Sequence, residues 1–386
     1  MAKLKVAAML RMIALVLLAT WLGGCTADNS ATATVQAPRP PDATVIPTAG
    51  NTSARDSTTK NFVERIDLLG DSARSKSFDF SSDGRWLTFA DSGDVGLWDL
   101  ANLDSTGRHR VLQTSQHITA LAFSPDSSSV VYGDDTGGIG FWDITRSETY
   151  TDVAVFEGAV HSLTYSPDGQ WLAATTNGCG CIDENVITVW DLRKERPTKD
   201  NGLQLRQHAH KVWAISFSTD SKVLATGDLG GQIYLWDMQA LDKLLISVNG
   251  PSDGINGLAF SKQSTLAAGV PDGTVWLWDA ERPSGTPQVL AAFPEEPKGT
   301  PGVIRTAFEV DSVAFSADGK TLAAGCGDGT VRIWQADAAN NFANSMNPAI
   351  LSLGKNQGSV GAVRFSPNGI MLGALGHNGV RLWEAH

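Results

Sequence analysis

Residues 312–336 read SVAFSADGKTLAAGCGDGTVRIWQA. Three apolar segments follow one another in this stretch, around Phe315, at Leu322-Ala323-Ala324 and at Trp334. A glycine that follows an aspartate, as at Asp328-Gly329, tolerates the positive φ of a tight turn. Two such turns between three apolar segments predict three consecutive antiparallel strands.

The same pattern occurs seven times between Phe78 and the end of the chain. Each copy has a tryptophan, 42 to 56 positions from the next, and an aromatic residue 18 or 19 positions earlier, or 25 in the third copy. The tryptophans are Trp98, Trp142, Trp190, Trp236, Trp278, Trp334 and Trp383, and the aromatics are Phe80, Phe123, Tyr165, Phe217, Phe260, Phe315 and Phe365. A repeat of this length indicates one supersecondary unit per copy.

The segments around the seven tryptophans read GLWDL, GFWDI, TVWDL, YLWDM, WLWDA, RIWQA and RLWEA. Over residues 62–386 the chain resembles the WD-repeat (WD40) family. The resemblance implies an all-β fold, a seven-bladed β-propeller with strands a to d in each blade, a innermost and d outermost. Gln335 and Glu384 replace the final aspartate, and the Gly-His pair before strand a is mostly lost. These departures bear on the family's internal His–Ser–Trp–Asp hydrogen-bond network, and not on the fold.

The seventh repeat stops after strand c, so its blade needs an outer strand from elsewhere. Residues 62–69, FVERIDLL, alternate in polarity and precede the first blade. We expect this segment to pair with strand c around Val380 to Trp383, as in the family, and so close the ring without an exposed edge.

Residues 1–24 have the features of an export signal: basic residues, an apolar run from Met12 to Leu22, and small residues before Cys25. The run is too short to cross a bilayer as a helix. Leu22-Gly23-Gly24-Cys25 resembles the lipobox of bacterial lipoproteins, although Gly23 is less usual there than alanine or serine. The alternative is an ordinary cleaved signal with an incidental cysteine. The resemblance implies a lipid on Cys25.

Residues 25–61 are rich in Ala, Thr, Ser and Pro and nearly lack aromatic residues, so we expect a flexible linker there and the propeller over 62–386. These features predict an extracytoplasmic protein of the bacterial cell envelope, held to the membrane by its lipid. Thr26 favours the outer membrane if two membranes exist, since it is not the aspartate that retains many lipoproteins in the inner membrane.

Removal of residues 1–24 leaves 27 basic against 41 acidic residues, a formal charge of −14. Phosphate backbones require a basic surface, so the composition argues against nucleic acid as a partner.

No spacing of acids, nucleophiles or glycines indicates a catalytic or cofactor site, and the chain is predicted not to be an enzyme. Counted back from the aromatic of strand a, the third residue is always small and the second always apolar. The fourth residue varies and is often polar, which indicates a surface free to specialise. From that column we take Trp213, Asp311 and His161 as candidate partner-binding residues.

Two insertions, Asn177 to Asn185 and roughly Pro294 to Phe308, are expected on the same face as that column. The first contains Cys179-x-Cys181, which allows three interpretations. The two cysteines could form a disulfide that leaves Cys326 unpaired, could be plain loop residues, or could bind zinc with His208 and His210. His208 is equally the structural histidine expected nine positions before Phe217, and no metal site is assigned.

The leading hypothesis from the sequence is a non-catalytic protein-interaction scaffold at the cell envelope. The alternative is a propeller enzyme or ligand-binding protein whose site lies at the mouth of the central channel.

Overall fold

The computed structural model describes residues 62–69, 77–91, 93–102, 108–114, 116–146, 148–156, 158–177, 185–240, 244–293, 308–342, 347–354, 358–377 and 379–385. Every described residue lies within residues 57–386. The predicted signal, the lipidation site and the linker therefore lie outside the described residues, as do Cys179 and Cys181.

Within the described part of the chain there is no apolar helix of membrane-spanning length.

The described residues form 28 strands and one short 3-10 helix, η1 (Leu100–Asn102). In chain order the strands are β1 (Phe62–Leu69), β2 (Phe78–Phe80), β3 (Trp86–Asp91), β4 (Asp94–Asp99), β5 (Arg108–Gln113), β6 (Ile118–Phe123), β7 (Ser129–Asp134), β8 (Gly138–Asp143), β9 (Glu148–Val155), β10 (Ala159–Tyr165), β11 (Trp171–Asn177), β12 (Ile187–Asp191), β13 (Leu203–Leu205), β14 (Val212–Phe217), β15 (Val223–Asp228), β16 (Gln232–Asp237), β17 (Leu244–Asn249), β18 (Gly257–Phe260), β19 (Thr265–Gly269), β20 (Thr274–Asp279), β21 (Gln288–Ala291), β22 (Val310–Phe315), β23 (Thr321–Cys326), β24 (Thr330–Gln335), β25 (Ala349–Ser352), β26 (Ala362–Phe365), β27 (Met371–Gly376) and β28 (Gly379–Ala385).

These strands make seven four-stranded antiparallel sheets, the blades. Blades 1 to 6 take four consecutive strands each, from β2–β5 to β22–β25, and blade 7 has the order β26-β27-β28-β1. The first strands of neighbouring blades contact each other all round the ring, and β2 contacts both β6 and β26. This is the predicted seven-bladed β-propeller, with strand a of every blade innermost.

The a–b turn is built around one serine in the Ser-Pro-Asp-Gly sequence of blade 3. The hydroxyl of Ser166 donates to Asp168 at 2.6 Å and accepts the backbone N–H of Trp171 at 2.9 Å. Gly169 has the positive φ, 72°, that the sequence predicts there. The turn also reaches blade 4, because the N–H of Asp168 donates to the hydroxyl of Ser221 at 3.0 Å. The turns therefore link neighbouring blades as well as neighbouring strands.

The core consists of seven apolar layers, each between two neighbouring blades. In the layer between blades 5 and 6, Ala267 and Val275 of one sheet pack with Leu322, Ala324 and Trp334 of the other. The strand-b residues in this layer are buried completely or almost so. Their small side chains let the sheets approach closely, as the sequence indicated.

The ring closes through β1, which pairs antiparallel with β28. Glu64 lies opposite Trp383 and Leu68 opposite Val380. The predicted closure is thereby confirmed, and blade 7 acquires its fourth strand from the other end of the propeller.

Deletion of residues 62–69 should expose the edge of β28 and destabilise the whole ring, because blades 1 and 7 would lose the sheet that joins them. Thermal unfolding and light scattering should show a lowered midpoint and aggregation. Deletion of residues 27–55 is the control and should leave the midpoint unchanged. Equal midpoints for the two truncations would contradict the closing role of β1.

Candidate functional site at the mouth of the central channel

One face of the ring carries the d–a connections and the b–c turns, and we call it the upper face. In blade 4, Val212 at the start of strand a lies opposite Asp228 at the end of strand b. In blade 6, Val310 lies opposite Cys326 in the same way. Both kinds of connection therefore leave the sheets at one edge, as the sequence analysis expected. The a–b turns and c–d connections form the lower face.

The central channel holds a cavity of about 120 Å³ whose wall receives residues from all seven blades, each in or next to the innermost strand. Trp213, Asp311 and His161 all line this cavity. Asn256 and Arg364 contribute further polar groups to the wall. The structure thus brings the three sequence-derived candidates together in one site.

A β-bulge explains why these positions vary. The ladder between strands a and b shifts register across position 161 in blade 3, 213 in blade 4 and 311 in blade 6. Thr119 takes the same place in blade 2. A bulged residue stands outside the regular pairing, so its side chain is re-aimed while the ladder continues on either side. The sequence showed the variable column but not the bulge that causes it.

The rings of Trp213 and His161 contact each other across the boundary between blades 3 and 4. Their centroids are 3.8 Å apart with planes tilted by 45°. The ammonium group of Lys211 lies 5.9 Å from the centroid of the Trp213 ring. All three side chains are half-buried. The result is an aromatic wall at the channel mouth with a cation beside it.

A buried polar network lies under the segment that leads to Trp213. Nδ1 of His208 is 2.8 Å from Oδ2 of Asp228, and Nε2 is 2.7 Å from Oγ1 of Thr226. The indole N–H of Trp236 donates to the same hydroxyl at 2.9 Å. An ionised Asp228 can only accept, so Nδ1 of His208 donates to it.

Burial alone would raise the pKa of Asp228. The hydrogen bond from His208 and the backbone N–H groups of Gln232 and Gly230 outweigh it and hold the pKa below its usual value. Blade 4 therefore keeps the family's internal network, with threonine in place of serine, despite the departures seen elsewhere in the sequence. The network fixes the d–a connection five residues before Trp213.

Both ring nitrogens of His208 are engaged in this network, which favours its structural role over the zinc interpretation. His210 is exposed on the same connection, and its proposed cysteine partners lie outside the described residues. Within the described residues, no group of three His, Cys, Asp or Glu side chains is placed to hold a metal ion. Cys326 is fully buried, and burial raises the pKa of its thiol to about 12.

Deeper in the channel, side chains of the innermost strands bond to the next blade. Oδ2 of Asp79 accepts the backbone N–H of Phe123 at 2.9 Å, and Oγ of Ser312 accepts that of Val363 at 3.1 Å. Burial raises the pKa of Asp79, although the Arg364 guanidinium at 4.0 Å acts in the opposite direction. These bonds tie neighbouring blades together along the channel wall, and we expect them to hold the site at its mouth in one geometry.

Seven four-stranded antiparallel blades around a channel define a β-propeller, and comparison with known proteins shows which repeats its blades resemble. The family model described as "WD domain, G-beta repeat" matches residues 108–143, 150–191, 201–237, 242–279 and 303–335. Four of the matches begin near the outer strand of one blade, the fifth begins shortly before the innermost strand of blade 6, and all five end with the third strand of a blade. The chain carries WD40 repeats, and these matches support its assignment to the WD40 family.

Several known proteins are similar to the chain. The guanine nucleotide-binding protein subunit beta of Zea mays is 24% identical over 294 residues, which cover 72% of this chain and 74% of that protein. The target of rapamycin complex subunit LST8 of Mus musculus is 26% identical over 229 residues, 56% of this chain and 68% of the relative. Both names describe a subunit of a larger assembly.

Thr226→Val should lower the free energy of unfolding by about 1 to 3 kcal/mol, because it leaves the Trp236 indole and His208 without their shared partner in a buried site. Chemical denaturation measures this loss. Thr175→Val is a matched control, since the Thr175 hydroxyl is equally buried and has no hydrogen-bond partner. Its removal should be neutral or stabilising, and equal losses in both variants would contradict the role given to the network.

Proposed function

We propose that this protein is a non-catalytic interaction scaffold of the bacterial cell envelope that binds a protein partner on the upper face of its propeller. The contact of Trp213 and His161 at the channel mouth is the observation that carries the proposal. A tryptophan is not required by the repeat at this position, since the equivalent residues in other blades are polar or small. Half-exposed aromatic residues on a rigid support are frequent centres of protein interfaces.

The relatives support the same class of function, because two of them are named as subunits of larger assemblies. The rigid channel wall and the His208 network would present Trp213 in one geometry, which reduces the entropy lost on binding. Asp311 and His161 would add polar contacts around the tryptophan.

The setting we propose follows from the sequence of residues 1–25. A lipid on Cys25 would hold the protein on the outer side of a membrane, and residues 26–61 would separate the propeller from the bilayer. The propeller would then act as a tethered platform that faces partners within the envelope.

Trp213→Ala should weaken partner binding by about 2 kcal/mol or more, as truncation of a central interface aromatic does. The partner is first captured by crosslinking in intact cells, and affinity is then measured with purified proteins. Lys320→Ala, in an exposed a–b turn of the lower face, is the control. If Lys320→Ala weakens binding while Trp213→Ala changes neither affinity nor folding, the partner docks on the lower face.

Cys25→Ala should abolish incorporation of labelled fatty acid, because Cys25 is the acyl attachment site that the lipobox implies. Metabolic labelling in a bacterial host measures this. Cys326→Ala makes the same chemical change at a buried thiol and should leave labelling intact. Label in the Cys25→Ala protein would refute the lipid anchor.

A further inference from the structure

Blade 7 differs from the other six blades in the a–b turn of its lower edge. In every blade, the backbone C=O of the last residue of this turn accepts an N–H from the end of strand c. These turn residues are Arg85, Ser128, Gln170, Lys222, Ser264, Lys320 and Ile370. Six of them are polar or charged, whereas Ile370 is apolar and 45% exposed. The repeat therefore does not require an isoleucine at this position.

The same turn lacks charge. Residues 366–370 read Ser-Pro-Asn-Gly-Ile, and Asn368 takes the place that an aspartate has in five other blades. Those aspartates are Asp83, Asp126, Asp168, Asp220 and Asp318. The turn of blade 5 carries Lys262 instead. All seven a–b turns lie within the described residues, and only that of blade 7 is uncharged.

The backbone around Ile370 has its hydrogen bonds inside the protein. The N–H of Ile370 donates to Oδ1 of Asn368 at 3.1 Å, and its C=O accepts the N–H of Ala385 at 2.7 Å. The next N–H, that of Met371, donates to the hydroxyl of Ser366 at 2.8 Å. Loss of water around a polar group is costly when the group has no other partner. The tip of this turn can therefore enter a less polar medium without leaving these backbone groups unpaired.

The chain enters the propeller at the same edge of the same blade. Phe62, the first residue of β1, pairs with Ala385, and the N–H of Ala385 is bonded to Ile370. Neighbouring strands are about 4.8 Å apart, so the backbones of Phe62 and Ile370 are about 10 Å apart. Residues 25–61 precede Phe62 in the sequence. A lipid on Cys25 would therefore tether the propeller beside Ile370.

This location separates Ile370 from the other exposed apolar residues. Single apolar side chains are common at protein surfaces and require no partner. Among the described residues, six other large apolar side chains are exposed to a similar extent, five on outer strands and one in an upper turn. They are Val111, Leu203, Leu245, Val289, Ile350 and Leu229. Ile370 alone of these seven lies in a lower turn, and that turn adjoins the entry of the chain.

We propose that the occupant of this turn is the surface of the lipid bilayer, with the side chain of Ile370 in its interfacial layer. The inference rests on the proposed function, because it requires the lipid on Cys25. One side chain binds a bilayer weakly, but the tether would make the contact intramolecular and so raise its effective concentration. The seven residues of β28 span about 20 Å from the lower to the upper edge. The upper face, with Trp213, would then point away from the membrane.

A fluorescence experiment tests the contact. Lipidated protein is reconstituted in phospholipid vesicles whose acyl chains carry bromine, which quenches tryptophan emission on contact. Ile370→Trp places a reporter in the turn of blade 7, and Lys222→Trp places one at the equivalent exposed position of blade 4. The emission added by Ile370→Trp should be quenched and that added by Lys222→Trp should not. Equal quenching of both reporters, or quenching of neither, overturns the inference.

Amide hydrogen exchange tests the native side chain. Vesicles should slow exchange in residues 366–371 of the lipidated protein and should leave residues 218–223, the corresponding turn of blade 4, unchanged. Ile370→Ser should weaken the contact about tenfold, because it removes the apolar area that is transferred. Two other blades have serine at this position, so the variant should fold. Slowing that persists in Ile370→Ser overturns the inference, and so does self-association that Ile370→Ser abolishes without any effect of vesicles.

The labelling of Cys25 separates this inference from the proposed function. Protein that carries no fatty acid refutes the proposed membrane setting and the contact with it. Protein that carries the fatty acid but shows neither quenching nor slowed exchange keeps the anchor and loses the contact. The effect of Trp213→Ala on partner binding is independent of both results, so the docking surface stands or falls by itself.

Discussion

Close contact between neighbouring sheets is the physical condition on which the structure depends. Each blade is a small sheet that would expose both faces on its own, and it becomes stable because each face is buried against a neighbour. Alanines such as Ala173, Ala225, Ala267 and Ala323 are completely buried at these contacts. Larger side chains there would separate the sheets and widen the channel. These buried alanines, which do not line the channel, therefore set its width and the size of the site at its mouth.

Much of the fold could be predicted from the sequence because seven copies of one unit can be aligned. A residue type that recurs at one position in all copies marks the same structural role in every blade. The number of blades, the a–b turns and the pairing of β1 with β28 all followed from the alignment of the copies. The links between blades could not be predicted. Ser221 has a φ of 62°, in the region that glycine usually occupies, and its hydroxyl accepts an N–H from the turn of the preceding blade. Such a contact depends on the distance between sheets, which no single repeat encodes.

The candidate site was predictable in part for a similar reason. The position of Trp213, His161 and Asp311 was noticeable because it varies between repeats while its neighbours in strand a keep their residue type. The bulge that turns these side chains out of the ladder has no sequence pattern by which it could be predicted. The replacement of serine by Thr226 likewise concealed the intact network of blade 4. In blade 6 the corresponding position is Ala324, and there the indole nitrogen of Trp334 is buried without a partner. Blade 4, which carries Trp213, therefore satisfies a buried indole that blade 6 leaves without a hydrogen bond.

The pairing of β1 with β28 also bears on how the protein is made. Its two strands are roughly 300 positions apart along the chain, so the contact that completes the ring has a very long loop to close. During synthesis β1 emerges before β28, and every intermediate in between has an unsatisfied edge. Such edges invite pairing with other chains. The edge that β28 covers in the finished ring is therefore exposed to pairing between chains for the whole time that the chain is incomplete.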